Sequence, residues 1–317
     1  MELGGLHHLT AVTTDAGQNV DFYTRVLGMR LVKKTVNQDD VSAYHLFYAD
    51  ALGSPGTDIT FFDWPHLRIA PNGPGAGEVS VTGLRVPDRE ALQWWAGRLE
   101  GSGVAHSGIQ DGDGRLYLDF QDPEGQRLRL SEDRGEGTEA GKPWDGGGVP
   151  AEYGIRGLAS VDLTVREHGP TEWTLTEVLG FRKTDERMED GGRTAVYEVG
   201  PGGPGATVRV LERPGAGPAG LGRGGVHHVA FRTPDDEEHA LWREKIRAMG
   251  LGVTPQIDRF YFRSIYFREP GGVLVEIATD GPGFATDEDP AHLGERLSLP
   301  PFLEDRREEI ESRLTPV

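Results

Sequence analysis

The sequence predicts an α+β fold in which four βαβββ units pair into two open, barrel-like mixed sheets, followed by a C-terminal helical tail. Three observations favour this fold. Segments near residues 85 and 232 repeat one pattern, segments near residues 22 and 173 repeat a second, and all four are flanked by alternating, strand-like sequence. Because a single unit leaves one apolar face of its sheet bare, we expect the units to pair.

The first repeat begins with RVPD and RTPD, which end at Asp88 and Asp235. Each copy continues through a helix-like stretch and a glycine turn into a strand, a turn and another strand. The last turn lies 34 residues after each aspartate, so the ends of the two copies are in register. The glycine turns, taken at Gly101 and Gly250, lie 13 and 15 residues after the aspartates, which predicts a second helix that is two residues longer.

The second repeat comprises FYTRVLGMRL and WTLTEVLGFR, two amphipathic helix ends that are closed by Gly28 and Gly180. A strand-like stretch precedes each helix, and alternating sequence follows it up to GTDITFFD or GATVRVLE. The chain then divides into an N-terminal domain (1–131, with units at about 5–66 and 78–131), a linker (132–152), a C-terminal domain (153–281, with units at about 153–213 and 224–281) and a tail (282–317). The tail predicts an amphipathic helix with the apolar positions Phe302, Leu303, Ile310 and Leu314.

Composition narrows the function classes. The net charge of -18 argues against nucleic acid or an anionic membrane surface as a partner. Acidic stretches at 131–139 and 287–289 are expected to be solvated. The chain contains 0 cysteines, so any metal must be held by nitrogen and oxygen ligands. With no bilayer-length apolar run and no signal-like start, we expect a cytoplasmic protein; its oligomeric state, including a homo-oligomer, stays open.

A candidate metal site follows from the repeat. His228 lies on the first strand of unit four, and Glu276 lies on its last strand, 48 residues later. The matching positions of unit two are Val81 and Arg129, also 48 residues apart. The scaffold therefore builds the same strands without a histidine or a carboxylate at these places.

His8, in GLHHLT of unit one, has the same setting as His228 in GVHHVA, and its counterpart in unit three is taken to be Gly157. Glu276 lies within the apolar strand VLVEIA, where a lone carboxylate is costly to bury unless it is coordinated or neutralised. Two histidines and one carboxylate that face a common cavity form the facial triad that binds non-heme Fe(II). The alternative is that each imidazole is a hydrogen-bonded core residue and Glu276 pairs with an arginine.

The motifs GLHHLTAV, VLGMRLVKKTVN, YHLFYAD, GSPGTDITFF, GVHHVAF and LPPFLEDRR resemble the vicinal oxygen chelate superfamily of glyoxalases, antibiotic-binding proteins and extradiol dioxygenases. Over nearly the full length the chain is similar to the hydroquinone-type ring-cleaving dioxygenases of that superfamily. The resemblance implies Fe(II), or Mn(II), held by His8, His228 and Glu276, with O2 as co-substrate and a small aromatic diol as substrate.

The same resemblance implies roles for five further residues. His7 and Thr10 would line the substrate side, and His227, Arg259 and Tyr266 would be catalytic. A neutral imidazole can accept the proton that a diol loses, and a cation or a phenol can stabilise charge on its oxygens. Adjacent strand residues point to opposite faces, however, so the histidine pairs require bulged or twisted strands.

The triad also predicts topology. One ligand comes from unit one and two come from unit four, so these units should pair, which leaves units two and three to pair with each other. His45, on a strand, could face the cavity but is assigned no role. The remaining histidines are expected in loops or on polar helix faces: His66, His106, His168, His239 and His292.

Three functions remain open. The first is an Fe(II)-dependent ring-cleaving dioxygenase acting on a hydroquinone or a catechol. The second is a glyoxalase-like metal-dependent lyase or isomerase, which usually uses four protein ligands; the end of unit one offers only Asp58 and Asp63 for the fourth, without a clear register. The third is a non-enzymatic ligand-binding protein on the same fold.

Overall fold

Sixteen β-strands form two eight-stranded mixed sheets in the computed structural model, which describes residues 1–64, 70–189 and 191–317. The strands of the first two units are β1 (Leu6–Thr13), β2 (Arg30–Asn37), β3 (Asp40–Ala49), β4 (Asp58–Asp63), β5 (Glu78–Val86), β6 (His106–Gly112), β7 (Arg115–Gln121) and β8 (Arg127–Glu132). Those of the last two units are β9 (Leu158–Val165), β10 (Arg182–Glu189), β11 (Gly192–Glu198), β12 (Thr207–Glu212), β13 (Val226–Thr233), β14 (Ile257–Asp258), β15 (Arg263–Arg268) and β16 (Leu274–Thr279). The predicted α+β fold is confirmed.

The order of the strands shows how the units pair. One sheet runs β14-β15-β16-β13-β1-β4-β3-β2, and the other runs β10-β11-β12-β9-β5-β8-β7-β6. Units one and four therefore share a sheet through the antiparallel β1–β13 pair, and units two and three share the other through β5–β9. The predicted pairing of the units is correct. Each sheet takes one unit from either side of the segment 132–152, and the domain bounds given above stay a prediction.

Five α-helices accompany the sheets within the described ranges. They are α1 (Ala16–Asp21), α2 (Arg89–Gly101), α3 (His168–Trp173), α4 (Asp236–Ala248) and α5 (Arg307–Glu311). A π-helical turn continues α1 over Phe22–Val26 and α3 over Thr174–Val178. Gly28 and Gly180 follow these turns with φ of 68° and 80°, the left-handed conformation that was predicted for the helix ends.

The predicted difference in length between α2 and α4 is wrong. Asp88 and Asp235 cap the two helices by accepting backbone N–H bonds, and each helix has 13 residues. The left-handed glycines that follow are Gly103 (φ 72°) and Gly250 (φ 83°), so Gly103 rather than Gly101 matches Gly250. In GSGV the chain offers two glycines, and only the one with positive φ makes the turn.

The segment 132–152 is anchored more firmly than its composition indicates. Arg85, which is 2% exposed, donates to the fully buried carboxylate of Asp133 at 2.8 Å and to the carbonyl of Glu136 at 2.7 Å. Glu132 is also buried. The expectation of solvated acidic residues is therefore wrong for Glu132 and Asp133, because an arginine of β5 satisfies Asp133 inside the protein.

The tail packs on β2, although only partly as predicted. Leu303 and Ile310 are buried against Val36, whereas Phe302 is 63% exposed. A 3-10 turn over Pro301–Arg306 takes the place of the first part of the predicted helix, and its three-residue period turns Phe302 away from the body.

A buried ion pair fastens the beginning of the tail. Lys33 of β2 is fully buried and donates to Glu288 and, at 2.7 Å, to Asp287. Glu288 is also buried, so the expectation of solvation fails there too. Two of the histidines expected on polar surfaces, His168 and His239, are likewise buried, and His66 lies outside the described residues. Among the described residues, none of the helices has the length and apolar character to cross a membrane.

Candidate metal centre

The centre of the first sheet is distorted at both histidine pairs. In the β1–β13 ladder, Leu6 pairs with Phe231 but His8 pairs with Ala230, so β1 carries one extra residue, His7. At the other end Thr10 pairs with His228 but Ala11 pairs with Val226, so β13 carries His227 as its extra residue. These two β-bulges remove the strict alternation of faces that adjacent histidines would otherwise obey.

Each bulge turns the first histidine of its pair towards the second. His7 Nδ1 lies 2.8 Å from His8 Nδ1, and His227 Nδ1 lies 2.8 Å from His228 Nδ1. This placement differs from the expectation that His227 is catalytic and that His7 lines the substrate cavity. They contact the imidazoles behind it, because the bulge brings the two rings edge to face at centroid distances of 5.0 and 5.1 Å.

The hydrogen bonds of His7 fix the tautomer of His8. His7 Nε2 lies 3.1 Å from the carbonyl oxygen of Thr279, which can only accept, so His7 Nε2 carries the proton. Burial lowers the pKa of His7 to about 3, which keeps the ring neutral and leaves Nδ1 as an acceptor. His8 therefore donates through Nδ1, and its Nε2, which faces Glu276, is the nitrogen that can bind a metal.

Glu276 joins these two imidazoles from β16. Its carboxylate is fully buried, with Oε2 3.2 Å from His8 Nε2 and 2.9 Å from His228 Nε2. Within the described part of the chain, neither carboxylate oxygen accepts a hydrogen bond of ordinary geometry. Burial acts to raise the pKa of Glu276, but His8 and His228 outweigh it and hold that pKa well below its usual range.

The three side chains fit a divalent metal ion. One potential ligand atom from each of His8, His228 and Glu276 lies within 4.8 Å of the others, and all three residues are buried. Two imidazole nitrogens and one carboxylate oxygen suit Fe(II) or Mn(II). A buried carboxylate without ordinary hydrogen bonds is a group that coordination would satisfy.

The second sheet provides an internal comparison. Glu276 pairs with Ala230, two residues after His228, and in β5 and β8 the same construction places Arg129 opposite Gly83, two residues after Val81. This agrees with the matching positions taken from the sequence. Arg129 forms an ion pair with Asp119, at 2.7 Å.

The counterpart of His8 in unit three needs correction. Gly5 and Gly157 occupy the same place, with φ of 109° and 115°, so the residue that matches His8 is Ser160 and not Gly157. The ladders agree, because Ser160 pairs with Thr207 as His8 pairs with Asp58. A serine in place of a histidine leaves the comparison between the sheets intact.

Register also identifies the position of a fourth ligand. In unit four, Glu276 pairs with the residue that follows His228 by two positions. In unit one, the residue two positions after His8 is Thr10, and it pairs with Thr60. Thr60 therefore corresponds to Glu276. The hydroxyl oxygens of Thr60 and Thr10 lie 2.8 Å apart and form a hydrogen bond in which either group can be the donor. The fourth position, for which the sequence offered only Asp58 and Asp63 without a clear register, therefore holds a hydroxyl group.

A cavity opens in front of the candidate ligands. Arg259 and Tyr266, predicted to be near the substrate, line it, and Tyr266 pairs directly with Glu276 in the β15–β16 ladder. The Arg259 guanidinium lies 5.7 Å from the centre of the Tyr266 ring and forms an ion pair with Asp39 at 2.9 Å. Burial and the Glu276 charge raise the pKa of Tyr266, so its phenol stays protonated. Aromatic side chains complete the wall: Phe47, Phe62, Tyr261 and Phe262.

Two other residues were placed differently by the sequence. Thr10, expected at the substrate, is fully buried behind Thr60 and does not line the cavity. His45, left without a role, does line it, with Nε2 3.0 Å from the Thr60 hydroxyl. In AYHLFY the buried Tyr44 and Leu46 flank His45 and indicate that it faces away from the core. That signal alone does not distinguish a cavity from solvent.

A larger cavity lies away from these residues. It has a volume of about 870 Å³ and is bounded by the end of α1, the turn 102–106 and the end of β7. It contains none of the candidate ligands. Size therefore does not identify the site here, whereas converging polar side chains do.

The model of the Glyoxalase/Bleomycin resistance protein/Dioxygenase superfamily matches residues 5–130 and 158–277. The chain belongs to this superfamily. Both matched ranges contain two of the four units, and all three candidate ligands lie within them. The resemblance inferred from the histidine motifs is confirmed.

Relatives extend over the whole chain. "Putative ring-cleaving dioxygenase MhqA" of Bacillus subtilis (strain 168) is 47% identical over 318 residues, covering 100% of both chains. The chlorohydroquinone/hydroquinone 1,2-dioxygenase of Sphingobium indicum is 36% identical over 320 residues, covering 96% of this chain and 94% of its own. These similarities place the chain among superfamily members of its own length.

Solved structures support the fold. The crystal structure of a "putative dioxygenase" from Bacillus subtilis superposes with a TM-score of 0.91 at 39% identity, covering 99% of this chain and 97% of that one. Glyoxalase I from Zea mays superposes with a TM-score of 0.63 at 14% identity, covering 87% and 92% of the two chains. The second likeness concerns the fold alone.

Proposed function

We propose that the protein is an Fe(II)-dependent dioxygenase that opens the ring of an aromatic diol of the hydroquinone or catechol type. The observation that carries this proposal is the site itself: His8, His228 and Glu276 converge in a buried pocket, and the fourth position holds Thr60. The full-length relatives named for ring cleavage support the choice of reaction.

The metal would be held by His8 Nε2, His228 Nε2 and Glu276. When bound, Fe(II) supplies a Lewis acid for the phenolic oxygens and a centre for electron transfer between diol and O2. Three protein ligands leave room for a diol and O2 at the same centre. Mn(II) suits the same donor set and is the alternative cofactor.

The protein residues supply orientation and charge. Tyr266, protonated in its buried setting, can donate its O–H to an oxygen of the diol, and the Arg259 cation beside it can stabilise negative charge there. Phe47, Phe62 and Phe262 give the cavity the apolar walls that suit an aromatic ring. His7 and His227 act indirectly, because their hydrogen bonds hold the rings of His8 and His228 in place.

The other two functions fit less well. A glyoxalase-like lyase needs a fourth protein ligand, and Thr60 stands where that ligand would come from. A ligand-binding protein has no need of three buried metal-binding side chains. Of the described residues, the triad is the group that the ligand-binding alternative leaves unexplained.

Anaerobic purification followed by metal analysis and oxygen uptake tests the proposal. We expect about one iron per chain and consumption of O2 with hydroquinone or catechol. Reconstitution with Mn(II) would show which metal supports turnover. Zinc or nickel with turnover of a thiol adduct would instead support the lyase, and a metal-free protein that binds diols would support the ligand-binding alternative.

Glu276→Gln tests the metal site directly. It keeps the shape of the side chain but removes the charge, so we expect metal affinity to fall by more than about 100-fold, with loss of oxygen uptake. Asp63→Asn is the matched control, since it neutralises a buried carboxyl at the end of β4 that does not line the cavity. Full activity in Glu276→Gln, or equal loss in both variants, would contradict the assignment.

A further inference from the structure

His45 occupies the side of the cavity on which the fourth metal position lies. Two strands flank the β1–β13 pair symmetrically: β16 carries Glu276, and β4 carries Thr60 at the matching place. His45, on β3 beside β4, approaches Thr60 with its Nε2 at 3.0 Å. Because Thr60 offers a hydroxyl where a carboxylate would bind metal, this side is the open side of the site.

The ring of His45 is held in one orientation. Thr60 is itself bonded to the Thr10 hydroxyl, so Nε2 is anchored by a chain of two hydroxyl groups. Phe47 and Phe62 lie against the imidazole, with ring centroids 4.0 and 4.5 Å away. Among the described residues nothing bonds Nδ1, and the half-buried ring lines the cavity. The imidazole therefore keeps one nitrogen that can bond a ligand.

The fold does not require this imidazole. His45 pairs with Phe62, two residues after Thr60, and in unit four the matching pair is Ser264 with Ala278, two residues after Glu276. The equivalent strand of unit four therefore has a serine at the position of His45. His45 differs from Ser264 in lining the cavity, where its imidazole offers a polar group to a ligand.

We infer that His45 is a substrate-binding residue, whose Nδ1 makes a hydrogen bond to a hydroxyl oxygen of the aromatic diol on the open side of the metal site. Tyr266 contributes from β15, on the opposite flank of the β1–β13 pair. The diol would then be held from both flanks of the sheet. This inference rests on the proposed function, because it takes the diol as the ligand.

Equilibrium binding of hydroquinone to the Fe(II)-loaded protein without oxygen tests the assignment. His45→Leu should keep the iron content of the wild type but bind hydroquinone about 10-fold more weakly, the size of one hydrogen bond. His45→Gln, which retains a polar end, should lose less. His292→Leu removes an exposed histidine on the 3-10 turn of the tail and should bind like the wild type.

Thr60→Val provides a second route if His45→Leu does not fold. It removes the anchor of Nε2 while preserving shape, and we expect a loss of about 3-fold to 10-fold in hydroquinone affinity with unchanged iron content. Wild-type affinity in His45→Leu, or loss of iron from it, would overturn the assignment of His45 alone. An iron-loaded wild-type protein that binds no hydroquinone would overturn the proposed function, and this inference with it.

Discussion

His7 and His227 lie at β-bulges that the fold also forms where no histidine is present. In the second sheet the β5–β9 ladder shifts register at the same two places, where the extra residues are Ser80 and Ala159. The bulge therefore belongs to the fold, and the histidines use it. Their settings differ, since His7 Nε2 bonds a backbone carbonyl whereas His227 lies at a small surface pocket beside Arg268.

The sequence predicted the convergence of the candidate metal ligands better than their surroundings. His8, His228 and Glu276 converge as the comparison between repeats predicts, because a histidine and a glutamate stand where the other copies have serine, valine and arginine. The comparison between the repeated units did not identify His45. Its relation to Thr60 depends on the β3–β4 register, which no motif in the sequence encodes.

Asp63 allows a prediction on pH and stability. Burial raises its pKa from 3.8 to about 7, with smaller contributions from Glu124 and Asp15, and its Oδ1 has no hydrogen-bond partner among the described residues. The folded state thus holds this proton more tightly than the unfolded state. As pH rises from about 4 to 7 the unfolded chain ionises first, so the fold loses up to about 4 kcal/mol of stability.

Asp63→Asn should therefore be more stable than the wild type, with a difference that grows from about pH 4 and levels off above about pH 7. Urea unfolding at several pH values measures it. Asp21→Asn, which neutralises an exposed carboxyl on α1, should show a small and constant difference. An advantage for Asp63→Asn that shrinks with rising pH would contradict the sign of the argument.

Among the elements, the beginnings of the two long helices were predicted better than their ends. Asp88 and Asp235 mark the beginnings of α2 and α4, and the structure places N-caps there. The ends were misjudged because Gly101 and Gly103 both satisfy the motif, and only backbone conformation separates them. The prediction for the tail was partly wrong for a related reason, because apolar spacing does not distinguish a 3-10 turn from an α-helix.

Gly28 and Gly180 are a matched pair for a second prediction. Both end a π-turn with positive φ, so alanine costs about 1 kcal/mol of conformational strain at either place. At Gly28 a Cβ would also collide with Val149 of the segment 132–152, whereas at Gly180 it would meet no atom of the described residues within 4 Å. Gly28→Ala should therefore lose about 1 to 3 kcal/mol more than Gly180→Ala in urea unfolding.

Val149→Ala in the Gly28→Ala background tests the cause of that difference. Removing the colliding methyl groups should recover part of the stability that the collision costs, although the cavity left by Val149 has its own cost. No recovery at all would mean that strain in the turn, and not the contact with the segment 132–152, accounts for the loss.

At the scale of the whole molecule, the sequence predicted which units share a sheet. The argument needed only the three candidate ligands, one from unit one and two from unit four. The anchoring of the segment 132–152 was missed, although the repeat contains its signal. Arg85 donates to Asp133 as Arg232 donates to Asp280, both at 2.8 Å and both over 48 residues.

A divided chain should show that neither half holds the metal alone. Cutting between Glu139 and Ala140 puts His8 in one fragment and His228 with Glu276 in the other. We expect each separate fragment to retain less than about a tenth of the iron of the intact protein, and coexpressed fragments to recover binding. Metal analysis of the purified fragments measures this, and full iron content in either fragment alone would contradict the pairing.

The β1–β13 ladder also sets an order of events in synthesis. The imidazoles of His8 and His228 are separated by 220 positions along the chain, so the strand that carries His8 must wait for its partner until most of the protein has been translated. Contacts so distant in sequence form slowly. β1 therefore lacks its antiparallel partner until β13 has been made, and the three candidate ligands can converge only after the last unit is complete.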